Sequence, residues 1–155
     1  MLTTNEQIWV VVNLKVTDVM RKDIVTVDEN VSVREASQKM REKKIGCVIA
    51  FRKGVPIGMI TERDVTWNVA GEGLNASNVK VSEIMSTPLV TVDPDADLIE
   101  AAKLMQQNEM KRLAVSKKNT LYGVLSAIDI AGNLESYVEE DTRSILKYAF
   151  FMPFH

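Results

Sequence analysis

The sequence predicts an α/β fold of the mixed α+β type, built from two βαββα repeats that pack on each other. Three observations support this prediction. The chain aligns with itself without a gap when it is shifted by 65 residues, two helix-capping sequences precede apolar residues at helical spacing, and each half contains two strand-like runs around a tight turn. Repetition at such a period is typical of a duplicated supersecondary unit.

The repeat covers residues 16–65 and 81–130. The stretch "VTDVMRKDIVTVDENVSVREASQKM" lies over "VSEIMSTPLVTVDPDADLIEAAKLM", and "GMITERDV" lies over "GVLSAIDI". Most other positions exchange like for like, and the identical pairs include Met20/Met85, Thr26/Thr91, Asp28/Asp93, Glu35/Glu100, Met40/Met105, Gly58/Gly123 and Asp64/Asp129. No low-complexity sequence explains this match, so it indicates a duplication.

Each repeat predicts the same elements in the same order. A short turn ("VTDVM" or "VSEIM") leads to a brief strand, and a helix then follows a capping sequence formed by Ser32 with Glu35 or by Asp97 with Glu100. The apolar stripes of these helices are Val33, Ala36 and Met40 in one repeat and Leu98, Ala101 and Met105 in the other.

Two further strands and a second helix complete each repeat. The strands "CVIAF" and "VPIGMI" are joined at residues 52–54, and "LAVS" and "LYGVLS" at 117–119, where Gly54 and Asn119 tolerate the positive φ of a tight hairpin. The second helix begins at Thr61 or Ser126. The predicted domains are an N-terminal strand-like extension (1–15), repeat 1 (16–70), a Gly/Asn/Ser-rich linker (71–80), repeat 2 (81–135) and an apolar C-terminal tail (136–155).

Composition excludes several classes of function. The net charge of −2 argues against nucleic-acid binding, which needs a concentrated positive face. No apolar run is long enough to span a bilayer, and the first residues lack the pattern of a signal peptide, so we expect a soluble cytoplasmic protein. The single Cys47 lies among apolar residues and is expected to be buried. The sole histidine is the last residue, and no metal or nucleotide-phosphate motif occurs, so we expect no enzyme, no metal and no cofactor.

Two further hydroxyl-to-acid pairs, Thr61/Asp64 and Ser126/Asp129, directly follow an apolar strand. Each spacing is that of a capping box, in which hydroxyl and acid satisfy free backbone N–H groups. A helix that begins at the carboxyl end of a strand is also a common place for ligands. Such an aspartate can accept hydrogen bonds from the two hydroxyls of a ribose. A cap, a ligand site and a combination of both remain open at this point.

The order of elements, the duplication and the strand-end "TERD" resemble the CBS domain, which usually occurs as a tandem pair called a Bateman module. The resemblance covers residues 16–65 and 81–130. It implies a pseudo-twofold pair with two clefts between the halves and adenosine compounds as ligands: AMP, ADP, ATP, adenosylmethionine and relatives. In such modules the aspartate typically holds ribose, and the Thr or Ser hydroxyl reaches phosphate.

The resemblance assigns residues to two unequal clefts. The first cleft would use Thr61, Arg63 and Asp64 with Lys111 and Arg112 for phosphate, and would line the base with Asp23, Ile24 and Val25. The second would use Ser126 and Asp129, with Pro88, Leu89 and Val90 at the base. We therefore expect a phosphorylated nucleotide in the first cleft, and either no ligand or a less charged adenosyl ligand in the second. Alternatively, Arg63, Lys111 and Arg112 are solvated surface residues.

Two functions remain open from the sequence. One is a stand-alone sensor of adenosine ligands that alters an unknown partner protein when the clefts close. The other is a ligand-free interaction or oligomerisation scaffold with the same fold. In either case the helices after Asp64 and Asp129 are expected to form a homodimer. The apolar tail would cover its own module or dock at the subunit interface.

Overall fold

The computed structural model describes residues 14–135, together with residues 1, 3, 5, 6 and 143. Apart from these residues, the predicted N-terminal extension (1–15) and the predicted tail (136–155) lie outside the described residues. In chain order the elements are α1 (Val16–Val19), β1 (Thr26–Asp28), α2 (Val33–Lys43), β2 (Cys47–Arg52), β3 (Val55–Thr61), α3 (Glu62–Val65), a π-helical turn (Thr66–Ala70), α4 (Val81–Ile84), β4 (Thr91–Val92), α5 (Leu98–Gln107), β5 (Arg112–Lys117), β6 (Thr120–Ser126) and α6 (Ala127–Leu134).

The chain forms two compact units. The first unit is Asp23–Val90, and the second unit combines Met1–Lys22 with Thr91–His155. Each contains a three-stranded sheet, with order β1-β2-β3 in the first unit and β4-β5-β6 in the second. The central strand pairs parallel with the short strand before it and antiparallel with its hairpin partner. The predicted βαββα repeat is thereby confirmed.

The predicted helix caps, stripes and hairpins are also confirmed. The Ser32 side chain accepts from the Glu35 N–H at 3.1 Å, and the Asp97 side chain accepts from the Glu100 N–H at 2.8 Å. The two turns have positive φ at Gly54 (79°) and at the equivalent Asn119 (61°). All six stripe residues are buried, and Cys47 is buried as expected: Val33, Ala36, Met40, Leu98, Ala101 and Met105 form the stripes.

The compact units divide the chain at different points from the sequence repeats, because each unit incorporates the opening helix of the other repeat. In the second unit, the Val16 and Thr17 N–H groups donate to the carbonyls of Ala96 (2.9 Å) and Pro94 (3.0 Å). In the first unit, α4 and the segment over 71–80 pack with repeat 1. There the Val81 N–H donates to the Val31 carbonyl at 2.9 Å. Backbone bonding, rather than position in the repeat, decides membership of a unit.

Two serines of the same helical segment predict opposite effects of substitution by alanine. Ser32 caps α2, so Ser32→Ala is expected to lower the free energy of unfolding by about 1 kcal/mol. The Ser37 hydroxyl lies inside α2, buried and with no hydrogen-bond partner in the part of the chain that the structure describes. Ser37→Ala should therefore leave stability unchanged or raise it, because it removes an unsatisfied polar group and improves helix propensity. Urea denaturation of both variants measures the difference; equal losses would contradict the assigned cap.

Candidate functional site

The corner between β3 and α3 is closed by a reciprocal capping box of Thr61 and Asp64. The Asp64 Oδ2 accepts hydrogen bonds from the Thr61 backbone N–H at 2.8 Å and from the Thr61 hydroxyl at 2.9 Å. In return, the Asp64 N–H donates to Thr61 Oγ1 at 3.3 Å. The predicted cap is confirmed, and it employs only one of the two carboxylate oxygens.

The corner between β6 and α6 repeats this arrangement in the second unit. The Asp129 Oδ2 accepts from the Ser126 N–H at 3.1 Å and from the Ser126 hydroxyl at 2.6 Å. The Asp129 N–H donates to Ser126 Oγ at 3.1 Å. The second predicted cap is therefore confirmed as well, with the same oxygen employed.

In the first unit, the predicted base-lining segment lies at the same end of the sheet as Thr61. Strand β2 lies between β1 and β3, its first residue Cys47 pairs with Thr61, and the Ile49 N–H donates to the Val25 carbonyl at 3.0 Å. Because β1 runs parallel to β2, its leading segment (Asp23, Ile24 and Val25) flanks the start of β2 on the side opposite β3. The structure thus brings these three residues and the Thr61/Asp64 corner to the same end of the sheet, on either side of β2.

The two aspartates differ at their second oxygen. Asp129 Oδ1 accepts a hydrogen bond from Arg21 Nε at 3.0 Å, in an ion pair with an 11% exposed Asp129 side chain. Asp64 Oδ1 accepts no hydrogen bond from any residue within the described ranges. This oxygen therefore keeps its capacity to accept hydrogen bonds. Because Asp64 is only half-buried, a ligand can reach the corner. The two capping boxes are alike, but Asp64 has an acceptor oxygen available to a ligand, whereas the same oxygen of Asp129 already accepts from Arg21.

Arg21 is a site residue that the sequence reasoning missed. Its N–H and carbonyl pair with Val124 at 2.9 Å each in the second unit, and Ser86 pairs in the same way with Met59 in the first unit, at 2.9 and 3.1 Å. Arg21 and Ser86 occupy the same position of the 65-residue repeat. The signal was therefore present as an Arg/Ser difference between otherwise similar segments, but the repeat alone did not show that Arg21 lies beside Asp129.

Each of the three residues predicted to bind phosphate makes a contact within its own unit. The Arg63 guanidinium carbon lies 5.1 Å from the centroid of the Trp67 ring, a cation–π contact one helical turn along. Lys111 and Arg112 belong to the second unit, where the Lys111 carbonyl accepts from the Ala127 N–H at 2.9 Å and Arg112 pairs with Ser126 in the sheet. Their role at Asp64, like that of Pro88, Leu89 and Val90 at Asp129, stays a prediction.

At the far end of each sheet, another cationic side chain forms an ion pair with a carboxylate. Arg52, at the end of β2, donates to both carboxylate oxygens of Glu29 at 2.6 and 2.7 Å. These hydrogen bonds hold the pKa of Glu29 below its usual value. At the equivalent place in the second unit, Lys117 donates to Asp95 at 3.0 Å, which raises the pKa of Lys117. Both cations therefore form ion pairs with carboxylates at the end of the sheet opposite to the capped corner.

Neither a metal-ligand cluster nor a membrane-spanning helix occurs among the described residues. No group of three or more His, Cys, Asp or Glu side chains could hold a metal ion there. Nor do the same residues include a helix with the length and apolar character needed to cross a membrane. The capped corners remain the candidate sites.

Comparison with known proteins shows extensive similarity along the chain. The sequence profile of the CBS domain matches residues 16–71 and 81–136. The CBS domain-containing protein YhcV of Bacillus subtilis is 34% identical over 118 residues, which cover 76% of this chain and 84% of that protein. The uncharacterized protein MK0525 of Methanopyrus kandleri is 38% identical over 120 residues, which cover 76% of this chain but 61% of that longer protein.

The structural comparison agrees with the sequence match. A hexameric CBS-CP12 protein from bloom-forming cyanobacteria superposes with a TM-score of 0.73 at 27% identity, and the match covers 90% of this chain and 86% of that one. The capped strand-to-helix corners, the two βαββα repeats and these matches lead to one conclusion: the chain belongs to the CBS domain family and carries two CBS domains.

Proposed function

We propose that this protein is a regulatory sensor that binds an adenosine ligand, such as AMP, ADP, ATP or an adenosylmethionine-like molecule, through Asp64. The observation that carries the proposal is the second carboxylate oxygen of Asp64, which accepts no hydrogen bond in the part of the chain that the structure describes. The cap orients the carboxylate through Oδ2 and leaves Oδ1 for a ligand.

The chemistry of that oxygen suits a ribose. A carboxylate oxygen has two lone pairs, so Oδ1 can accept hydrogen bonds from both vicinal hydroxyls of one sugar. Bonds to an ionised acceptor are the stronger kind. Asp23, Ile24 and Val25 lie at the same end of the sheet, on the other side of β2, and are the proposed neighbours of the base. The Thr61 hydroxyl, which donates to Asp64 Oδ2 in the cap, lies at the same corner.

The proposed action is regulatory rather than catalytic. CBS domains are generally regulatory modules. A ligand that binds one conformation better than another shifts the population toward the first, and a partner protein can respond to that shift. We place this action in the cytoplasm, on a partner that the sequence does not identify.

We also propose that the protein forms a homodimer through the helix that follows Asp64. Trp67 lies on the π-helical turn after α3 with 65% of its surface exposed, the highest exposure among the large apolar residues of the first unit. An exposed indole of this size is typical of a protein–protein contact. The hexameric state of the similar CBS-CP12 protein is consistent with self-association of this fold.

Substitution of Asp64 tests the proposed ligand site. In Asp64→Asn, the amide oxygen can keep the cap, but the amide nitrogen replaces the Oδ1 acceptor. We expect AMP binding to weaken by about 10- to 100-fold, since hydrogen bonds to charged groups contribute about 1.5–3 kcal/mol. Isothermal titration calorimetry measures the affinity. In thermal unfolding, AMP at a hundredfold excess over its dissociation constant should stabilise the wild type by about 2.7 kcal/mol.

Glu72→Gln is the matched control, because it removes the same charge from an exposed residue of the same unit and should bind AMP as the wild type does. The ligand series adds a second control: 2′-deoxy-AMP lacks one of the two hydroxyls and should bind the Asp64 site of the wild type more weakly than AMP, whereas Asp64→Asn should remove this difference at that site. If AMP, ATP and S-adenosylmethionine all leave the wild type's unfolding temperature unchanged, the scaffold function replaces the sensor.

A further inference from the structure

We propose that Arg21 is a built-in competitor for the ligand at Asp129, so that the two CBS domains of one chain bind adenosine ligands unequally. The inference rests on the proposed function of Asp64. In the first unit the second carboxylate oxygen has no hydrogen-bond donor within the described ranges, whereas in the second unit it accepts from Arg21 Nε at 3.0 Å. A ligand that donates both ribose hydroxyls to this oxygen must therefore displace the guanidinium.

The two units provide an internal comparison. The backbone of Arg21 is paired to β6 as the backbone of Ser86 is paired to β3, and the two capping boxes have the same hydrogen bonds. The difference therefore lies in the side chain at one repeat position. Arginine reaches the aspartate from there, whereas Ser86 makes no hydrogen bond to Asp64. A single Arg/Ser exchange thus separates an occupied carboxylate from an available one.

The strength of this contact suits a competitor that can be displaced. The Arg21 side chain is 60% exposed and makes a single hydrogen bond to the carboxylate, whereas Arg52 makes two to Glu29. Ion pairs that involve such an exposed side chain are weak. We expect Arg21 to reduce affinity at Asp129 by up to about fivefold, which corresponds to about 1 kcal/mol. Arg21 therefore lowers the ligand affinity at Asp129 without preventing binding.

The choice of probe matters because a phosphate would give the displaced guanidinium a new partner. Uncharged adenosine offers ribose hydroxyls and no phosphate, so it reports on the competition alone. All variants carry Asp64→Asn, which leaves Asp129 as the ribose acceptor. In this background, adding Arg21→Ser should raise the affinity for adenosine by about fivefold, and further addition of Asp129→Asn should remove that gain.

Lys22→Ser in the same background is the control, since Lys22 is a neighbouring exposed cation with no bond to Asp129 and its loss changes the net charge equally. It should leave adenosine affinity unchanged. An unchanged affinity in the Arg21→Ser variant would overturn the proposal, and so would a weaker one, which would make Arg21 a ligand-binding residue. A gain that persists without the Asp129 carboxylate would also overturn it. None of these outcomes depends on whether Asp64 binds AMP, so failure of the proposed function is recognised separately.

Discussion

Gly123→Ala is expected to lower the free energy of unfolding by about 3 kcal/mol, the upper part of the usual range for overpacking. A Cβ atom at this position would overlap the carbonyl oxygen of Arg21 and lie 3.0 Å from the Met20 Sδ. The carbonyl oxygen cannot move aside, because it accepts the Val124 N–H at 2.9 Å. The substitution must therefore displace the segment after α1 from β6. Urea denaturation followed by circular dichroism measures the loss.

Thr120→Ala serves as the control for Gly123→Ala, since it changes an exposed residue of the same strand and should alter stability by less than about 0.5 kcal/mol. Gly58→Ala provides a graded comparison at the equivalent position. There the nearest atom, at 2.7 Å, is the flexible Met85 Sδ, and the Ser86 carbonyl oxygen is 2.9 Å away. We expect a smaller loss than for Gly123→Ala. If Gly123→Ala matched the control instead, the close contact between β6 and the Arg21 backbone would be refuted.

Trp67→Asp is expected to halve the molar mass of the protein in solution, as measured by light scattering. The side chain is 65% exposed on a helical turn and contacts Arg63 through its ring face. In the proposed homodimer this indole is buried against the partner, and aromatic residues of this kind contribute a large share of binding energy at interfaces. A carboxylate in its place would be desolvated without a partner, so the dimer should dissociate.

Leu74→Asp tests whether a new charge on any exposed apolar residue of the first unit has the same effect. Leu74 is 51% exposed and lies outside the helical turn, in the segment over 71–80. We expect this variant to retain the mass of the wild type. A wild-type mass equal to that of one chain, or an unchanged mass for Trp67→Asp, would remove the proposed interface.

The elements that the sequence predicted well are those determined by neighbouring residues. The caps at Ser32, Asp97, Thr61 and Ser126 depend on a spacing of three residues, and the turn at Gly54 on a local positive φ. The duplication strengthened these predictions, because each local pattern occurs twice in the sequence. Short-range chemistry of this kind can be inferred without knowledge of the rest of the fold.

The features that the sequence did not reveal depend on contacts between distant residues. The ion pair of Arg21 with Asp129 joins positions 108 apart, and α1 is bonded to the loop before α5 rather than to its own repeat. A repeat alignment shows which residues are equivalent, but it does not show which copy of an element pairs with which. The hydrogen bond that distinguishes Asp129 from Asp64 therefore cannot be predicted from the repeat alignment.

The exchange of opening helices has a consequence for the origin of the protein. A polypeptide with only one such repeat would lack a second copy in the same chain to provide the helix that its sheet requires. Two identical polypeptides could supply it to each other by domain swapping, which is a low-cost route to dimers. A swapped dimer of a half-length ancestor, later joined by gene fusion, would produce the connectivity seen here, and subsequent divergence could place an arginine in one half and a serine in the other.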